Sequence, residues 1–341
     1  MRSNKFVRLL RIVFLALLSI CAINIAFASG VGSLGKPTIL RDDDLTISSA
    51  IPRDYVITPF GYFHPSCVVE SSGKVEDAEY GNLKHDENDD TACKFPSFNS
   101  AGQPLSTNQS KTEYSTSSIY NGWLSSANFV VNSPDASDQV IAQLIVPPIP
   151  TVRSGQTIAL FTGLVQTGLQ NATILQPVLA WNEFNDNAWS VSAWNCCLNG
   201  VLLHSAPVAV APGDTLILGM APNNCPAGQS SCPSWNISIL KILASGSPST
   251  LVSWNTNSYN QAFNWIFGAV LETYGITQCS QFPSADAQFS RVTVQLRSDP
   301  RARLPNAPWG VSGYATNAPQ CGYNVGISQL SSIFSYITLS Y

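Results

Sequence analysis

The chain has 341 residues, a formal net charge of −4 and only 11% charged residues. That length allows one large domain or two ordinary ones with a substantial core. The sparse, slightly acidic charge excludes a nucleic-acid binder, which would carry a basic patch.

In chain order, residues 1–28 read as a secretory signal peptide. Arg2, Lys5, Arg8 and Arg11 form a basic start, Ile12 to Ile25 is apolar, and Ala26-Phe27-Ala28 is a small-x-small cleavage site. The apolar run is short for a membrane span and no later stretch reaches spanning length, so the expectation is an exported protein, secreted or periplasmic. Cys21 leaves with the signal. The eight remaining cysteines (Cys67, Cys93, Cys196, Cys197, Cys225, Cys232, Cys279 and Cys321) are an even number on an oxidising route, so disulfides are expected. Cys225 and Cys232 bracket a Pro/Gly/Ser loop and are expected to pair; Cys67 and Cys93 are a second candidate pair. Adjacent Cys196 and Cys197 are expected to point to opposite faces of a strand and to need separate partners. No CxxC pair exists and the three His are scattered, so no metal or other cofactor is expected.

Residues 29–118 hold no Trp and much of the charge, including Asp42-Asp43-Asp44 and Lys84 to Asp90. The second run lacks the spacing and Gly of a calcium loop and reads as solvated. Tyr55 to Glu70 is a compact piece with two short β-like runs around Pro59-Phe60-Gly61 and Pro65; Ser97 to Ser118 is polar linker. The segment is expected to be an N-terminal extension or propeptide docked on a main domain at 119–341.

All eight Trp fall after Tyr120, and the pattern becomes β throughout. Expected strands are Val140–Val146, Thr157–Thr162, Ala172–Trp181, Trp189–Trp194, Thr215–Met220, Trp235–Leu243, Thr250–Trp254, Ala262–Tyr274, Ser290–Leu296 and Ser332–Leu339. Turn signals such as Ser154-Gly155, Asn199-Gly200 and Pro212-Gly213-Asp214 separate them. Many short strands without a strong helix indicate a two-sheet antiparallel β-sandwich. Gly326 to Tyr341 also suits an amphipathic helix, through Ile327, Leu330, Ile333, Phe334 and Ile337. Charge is thin here, with six Lys or Arg and eight Asp or Glu after position 120. Such a surface gains little net charge when carboxylates protonate, so it tolerates acid.

Two strands carry an isolated polar side chain: Gln176 in Asn171–Trp181 and Glu272 in Gly268–Tyr274. A carboxyl in an apolar sheet is harder to ionise and can act as an acid or base at low pH. A Gln amide can hydrogen-bond an oxyanion. The bland alternative is that Gln176 serves the backbone and Glu272 sits on an exposed edge. Pro177, lacking an N–H, predicts a bulge or break in the ladder beside Gln176. His64, His85 and His204 lack the Gly-x-Ser-x-Gly elbow of a serine hydrolase, and Asp214 reads as a turn residue.

The order of these pieces resembles the glutamic peptidases (eqolisins). The resemblance runs from Tyr120 to Leu296. It is carried by Asn121-Gly122-Trp123, by Ala142 to Pro147, by Ala159-Leu160-Phe161-Thr162-Gly163 with Phe161 where the family has Trp, and by Ala172 to Gln176. Val208 to Leu218 and Ala269-Val270-Leu271-Glu272 complete it. The family's acidic residues after Trp194 and three positions past Glu272 are replaced here by Asn195, Cys196 and Gly275. The resemblance implies a concanavalin-like (jelly-roll) sandwich and a secreted, acid-acting endopeptidase. Gln176 and Glu272 would be its catalytic dyad around one water, Trp123 and Phe161 its substrate-binding residues, and a polypeptide its partner. It implies no metal, no acyl-enzyme and a monomer. A rival expectation is a non-catalytic, lectin-like sandwich that binds glycans or cell surfaces through exposed aromatics.

Overall fold

The computed structural model describes residues 51–72, 93–99, 102, 104–105, 122–132, 135–168, 172–184, 186–197, 200–226, 229–313 and 319–341. The signal peptide and the acidic runs at 42–44 and 84–90 lie outside them. All described residues belong to one compact unit, Leu34–Tyr341.

The N-terminal region supplies β1 (Val56–Thr58), β2 (Gly61–Phe63), β3 (Val68–Glu70), β4 (Ser97–Phe98) and β5 (Pro104–Leu105). The sandwich begins with β6 (Trp123–Val130), β7 (Ser137–Ile145), β8 (Thr157–Val165), β9 (Ile174–Trp181) and β10 (Trp189–Cys196). It continues through β11 (Leu202–His204), β12 (Val208–Val210), β13 (Thr215–Asn223), β14 (Ser234–Ile242), β15 (Pro248–Asn257) and β16 (Trp265–Tyr274). The chain closes with β17 (Ala287–Leu296), β18 (Asp299–Arg303), β19 (Gly310–Gly313), β20 (Asn324–Ser331) and β21 (Phe334–Ser340). Among the described residues there is no α-helix.

Two large sheets form the sandwich. One runs β19-β6-β16-β8-β9-β10-β11-β3, with β12 also on β10; the other runs β15-β14-β13-β7-β17-β21-β20, with β18 on β17. Their ladders are antiparallel except that β3 joins β11 in parallel. Strand side chains alternate between faces, and here both faces of the first sheet are buried. Leu160, Leu175, Leu179 and Leu271 point inward and meet Leu144, Leu216 and Ile237 of the second sheet. Phe161, Val178, Trp194 and Val270 point the other way and meet Phe60 and Phe63. The β1–β2 hairpin thus lies over the outer face of the first sheet. Cover on both faces explains why β8, β9, β10 and β16 read as nearly continuous apolar runs.

One ambiguity is settled and two expectations change. Gly326 to Tyr341 forms the β20–β21 hairpin, with Ser335, Ile337 and Leu339 buried in alternation because β21 pairs along β17. Cys196 and Cys197 bond to each other across a cis peptide rather than seeking separate partners; the cis geometry draws their Cα atoms to 3.1 Å. The β9–β10 register passes Pro177 unshifted, with Ala193 opposite it and Trp194 opposite Gln176. On β16, by contrast, the register shifts between Leu271 and Glu272 and between Phe267 and Ala269. There Gly268 is needed for space, since a Cβ would fall 2.8 Å from both the Ile337 methyl and the Trp309 ring. Cys225–Cys232 and Cys67–Cys93 pair as expected, and Cys279–Cys321 completes the set. Four disulfides suit an oxidising compartment.

Candidate functional site

Glu272 lies on β16 with its side chain on the outer face of the first sheet. The residue is 1% exposed. Trp123 Nε1–H donates to Glu272 Oε2 at 3.0 Å, and the Tyr274 hydroxyl donates to Oε1. Strand periodicity puts Tyr274 on the same face, two residues on. Gly122 makes room for the trio, because a Cβ there would meet the Tyr274 ring at 2.7 Å and Glu272 Oε1 at 2.8 Å. Burial pushes the Glu272 pKa well above its usual value; the two donors pull it back and the charge of Glu183 pushes it up again. Tyr274 is held well above the ordinary tyrosine range by burial, then by its carboxyl neighbour.

Gln176 projects from β9 onto the same face. It is fully buried, and among the described residues neither its amide oxygen nor its nitrogen has a hydrogen-bond partner. Glu272 stands beside Ala159 of β8, and Ala159 beside Ala180 of β9. Gln176 lies four residues back from Ala180, ~13 Å along the strand at ~3.3 Å per residue, and two strand spacings, ~10 Å, from β16. The two candidates therefore share a face without touching. To meet on one peptide group, both must reach along it.

Trp123 and Phe161 are brought together. Their ring centroids are 5.5 Å apart edge to face, and Trp123 meets Phe267 at 5.0 Å. Around them the cover is complete: Phe60 of the hairpin sits 6.5 Å from Trp194, and Tyr62 of β2 sits 5.5 Å from Tyr274. The hairpin is anchored beyond the face by the β3–β11 ladder, by Cys67–Cys93 and by the Trp254 indole N–H donated to the Ser71 carbonyl at 3.0 Å.

Sequence reasoning missed Glu183. It follows β9, where Asn182 adopts a left-handed backbone (φ 58°). Its carboxyl is buried, accepts from the Ser192 hydroxyl at 3.3 Å, and Ser192 in turn accepts from the Trp194 indole at 2.7 Å. Burial pushes its pKa up to about 8, Ser192 and Trp194 work against that shift, and Asp186 adds to it. His204, beside Trp194 at 4.7 Å, is held below the usual histidine range by burial. The spacing of Glu272 and Tyr274 was a readable signal for Tyr274. Nothing in the sequence marked Glu183, which lies past the end of its strand. Among the described residues no group of His, Cys, Asp and Glu is placed to hold a metal ion.

No family model and no curated protein matches the chain. Solved structures do. Scytalido-glutamic peptidase with a peptide-based transition state analog is 15% identical with a TM-score of 0.44, and with a transition state analog inhibitor 14% and 0.43. SCP-B, a member of the eqolisin family in complex with the tripeptide Ala-Ile-His, is 15% identical with a TM-score of 0.41. Each match covers 65% of this chain and 98% of the other. The structural neighbours of this chain are glutamic peptidases. Among the described residues no helix is long and apolar enough to cross a membrane.

Proposed function

We propose that this chain is an exported, acid-acting endopeptidase in which Glu272 moves the proton and Gln176 supports the developing oxyanion. One observation carries the reading: a buried carboxyl gripped by Trp123 and Tyr274 shares a face with a buried amide whose two polar atoms are unpartnered. Folding alone gives little reason to keep that amide, since burying unmet hydrogen-bonding groups costs about 1–3 kcal/mol each. A primary amide, with one donor and one acceptor side, complements a peptide group.

In the proposed reaction the hairpin has moved and water has relieved the burial that holds Glu272 neutral, so Glu272 ionises in acid. A water oxygen attacks the scissile carbonyl carbon while its proton passes to the Glu272 carboxylate. The oxyanion accepts a hydrogen bond from the Gln176 amide. The C–N bond then breaks as the proton moves from Glu272 to the leaving nitrogen. Trp123 and Phe161, with Phe267, offer an apolar wall to substrate side chains. The β1–β2 hairpin occupies this face, so residues 29–118 act as a pro-segment that must move before a substrate enters. The lectin-like reading loses its basis, because six Trp are buried and Trp265 and Trp309 are partly buried, leaving no exposed indole platform.

The test uses the full chain, incubated at acid pH with a denatured protein and pepstatin, and fragments read by mass spectrometry. Cleavage by the wild type and its loss in Glu272→Gln and Gln176→Ala are expected. Full activity in either variant, or none in the wild type at any acid pH, overturns the proposal.

A further inference from the structure

We propose that Glu183 is the second proton-transfer carboxyl of this site, paired with Glu272 across a floor made by Ala159 and Ala180. The inference rests on the peptidase reading above and divides between two residues the proton work given there to Glu272.

The placement comes from three strands and a turn. Glu272, Ala159 and Ala180 form one cross-strand row, and Asn182 turns the chain so that Glu183 returns over β9 and β10 to Ser192. Two methyl side chains between two buried carboxyls leave a floor on which an extended backbone can lie. Each carboxyl has its own donors: Trp123 and Tyr274 for Glu272, Ser192 and Trp194 for Glu183. Gln176, buried and unpartnered on the same face, is a third polar group that a peptide would satisfy.

The carboxyls also sense each other. The charge of Glu183 makes Glu272 harder to ionise. With the hairpin in place burial holds both carboxyls neutral in acid. Once the hairpin moves and water reaches the face that effect is relieved, and the pair passes through a one-proton state, assigned with Glu183 as carboxylate and Glu272 as acid. The other titratable groups nearby are Tyr274 on β16, Asp186 after Glu183, His204 on β11, Glu70 on β3 and Tyr62 on the hairpin. In the one-proton state the attacking water gives its proton to Glu183 as its oxygen bonds to the carbonyl carbon. Glu272 gives its proton to the nitrogen as the C–N bond breaks. Transfer of a proton from Glu183 to Glu272 restores the starting state, with one water consumed per bond.

The experiment compares pH–rate profiles of the full chain carrying Glu183→Gln, Glu183→Asp and Glu272→Gln. Glu183→Gln is expected to lose about 100-fold or more in kcat and one limb of the profile; Glu183→Asp is expected to restore that limb in part. Infrared titration of the buried carboxyls reads the pairing without activity: two steps in the wild type, and in Glu183→Gln one step moved to lower pH. Should Glu183→Gln not fold, the Asp variant is read the same way, with displaced steps expected. An unmoved titration, or a Glu183→Gln enzyme with both limbs and wild-type kcat beside an inactive Glu272→Gln, removes Glu183 from the site and leaves the peptidase reading standing. Full activity in Glu272→Gln removes both.

Discussion

Trp123 donates its indole N–H to Glu272 across 3.0 Å, joining residues 149 positions apart. The register makes the contact possible, because β6 lies beside β16 with Trp123 opposite Glu272. The second carboxyl oxygen is taken by Tyr274 of the same strand. A carboxyl held by two donors keeps some capacity to ionise where burial alone would hold it neutral.

Tyr274→Phe removes one of those donors and little else. That hydrogen bond favours the charged form, so without it the Glu272 pKa should rise further. The limb of the pH–rate profile that reports Glu272 should move up correspondingly. A profile that stays in place shows that the Tyr274 hydroxyl does not act on the reacting carboxyl.

Gly122→Ala tests the same contact from the backbone side. The added methyl would meet Tyr274 and Glu272 Oε1 inside 3 Å, so the ring must shift and its bond to the carboxyl must break. The expected result is a profile displaced as in Tyr274→Phe, with stability lowered by about 1–3 kcal/mol from overpacking. Combining both substitutions should add little to the pH displacement, since both remove one hydrogen bond. Additive displacements would separate Gly122 from that bond.

The sandwich was legible because its strands are short, β-rich and punctuated by turn residues. Gln176 and Glu272 stood out as polar points in apolar strands. Their common face was not legible, because β8, β9, β10 and β16 are apolar on both sides and period-2 alternation is erased. The hairpin around Pro59-Phe60-Gly61 could be recognised as a compact piece, but its seat over Trp194 and Tyr274 is a long-range contact with no local signal. The C-terminal segment satisfied both helical and strand spacing until the edge of β17 decided for a strand. Pro177 suggested a bulge on β9, whereas β16 carries register shifts, one of them at Gly268 where Trp309 and Ile337 crowd the backbone. Glu183 escaped notice because its position depends on the left-handed turn at Asn182.

Gln176→Met should separate stability from function. The change keeps the unbranched shape and removes two buried polar atoms without partners. Relief of that desolvation should stabilise the fold by about 1–3 kcal/mol, a rise of several degrees in Tm, while peptide cleavage falls sharply. Calorimetry and a cleavage assay on the same preparation check both halves. A lower Tm with activity retained would make Gln176 a structural residue.

Phe60→Ala with Tyr62→Ala should loosen the cover over Trp194 and Tyr274. Both rings are buried, and truncating a buried aromatic costs about 3–5 kcal/mol, here taken mainly from the hairpin because β3 and Cys67–Cys93 hold the adjoining chain. The full chain should then gain activity at acid pH with a shorter lag than the wild type. An unchanged lag, with the two-alanine variant folded by circular dichroism, would show that the hairpin does not gate the face.

Stability should depend on pH in the direction opposite to ordinary acid denaturation. Glu183 has its pKa raised from 4.5 to about 8 in the folded chain, chiefly by burial. The folded state therefore binds more protons than the unfolded state between those values, and stability falls as pH rises across that window. The contribution is fully present below the unfolded pKa and is lost by about pH 8. At about 1.4 kcal/mol per unit the loss is on the order of 5 kcal/mol, a large part of the 5–15 kcal/mol typical of a domain. Glu272, raised in the same sense, adds to the trend. Thermal unfolding followed from acid to mildly alkaline pH should show Tm highest in acid and declining steadily. Glu183→Gln, which keeps the shape and cannot ionise, should flatten that decline while leaving the acid-side Tm nearly unchanged. An equal slope in wild type and variant would show that Glu183 is not the buried acid that the fold must keep protonated.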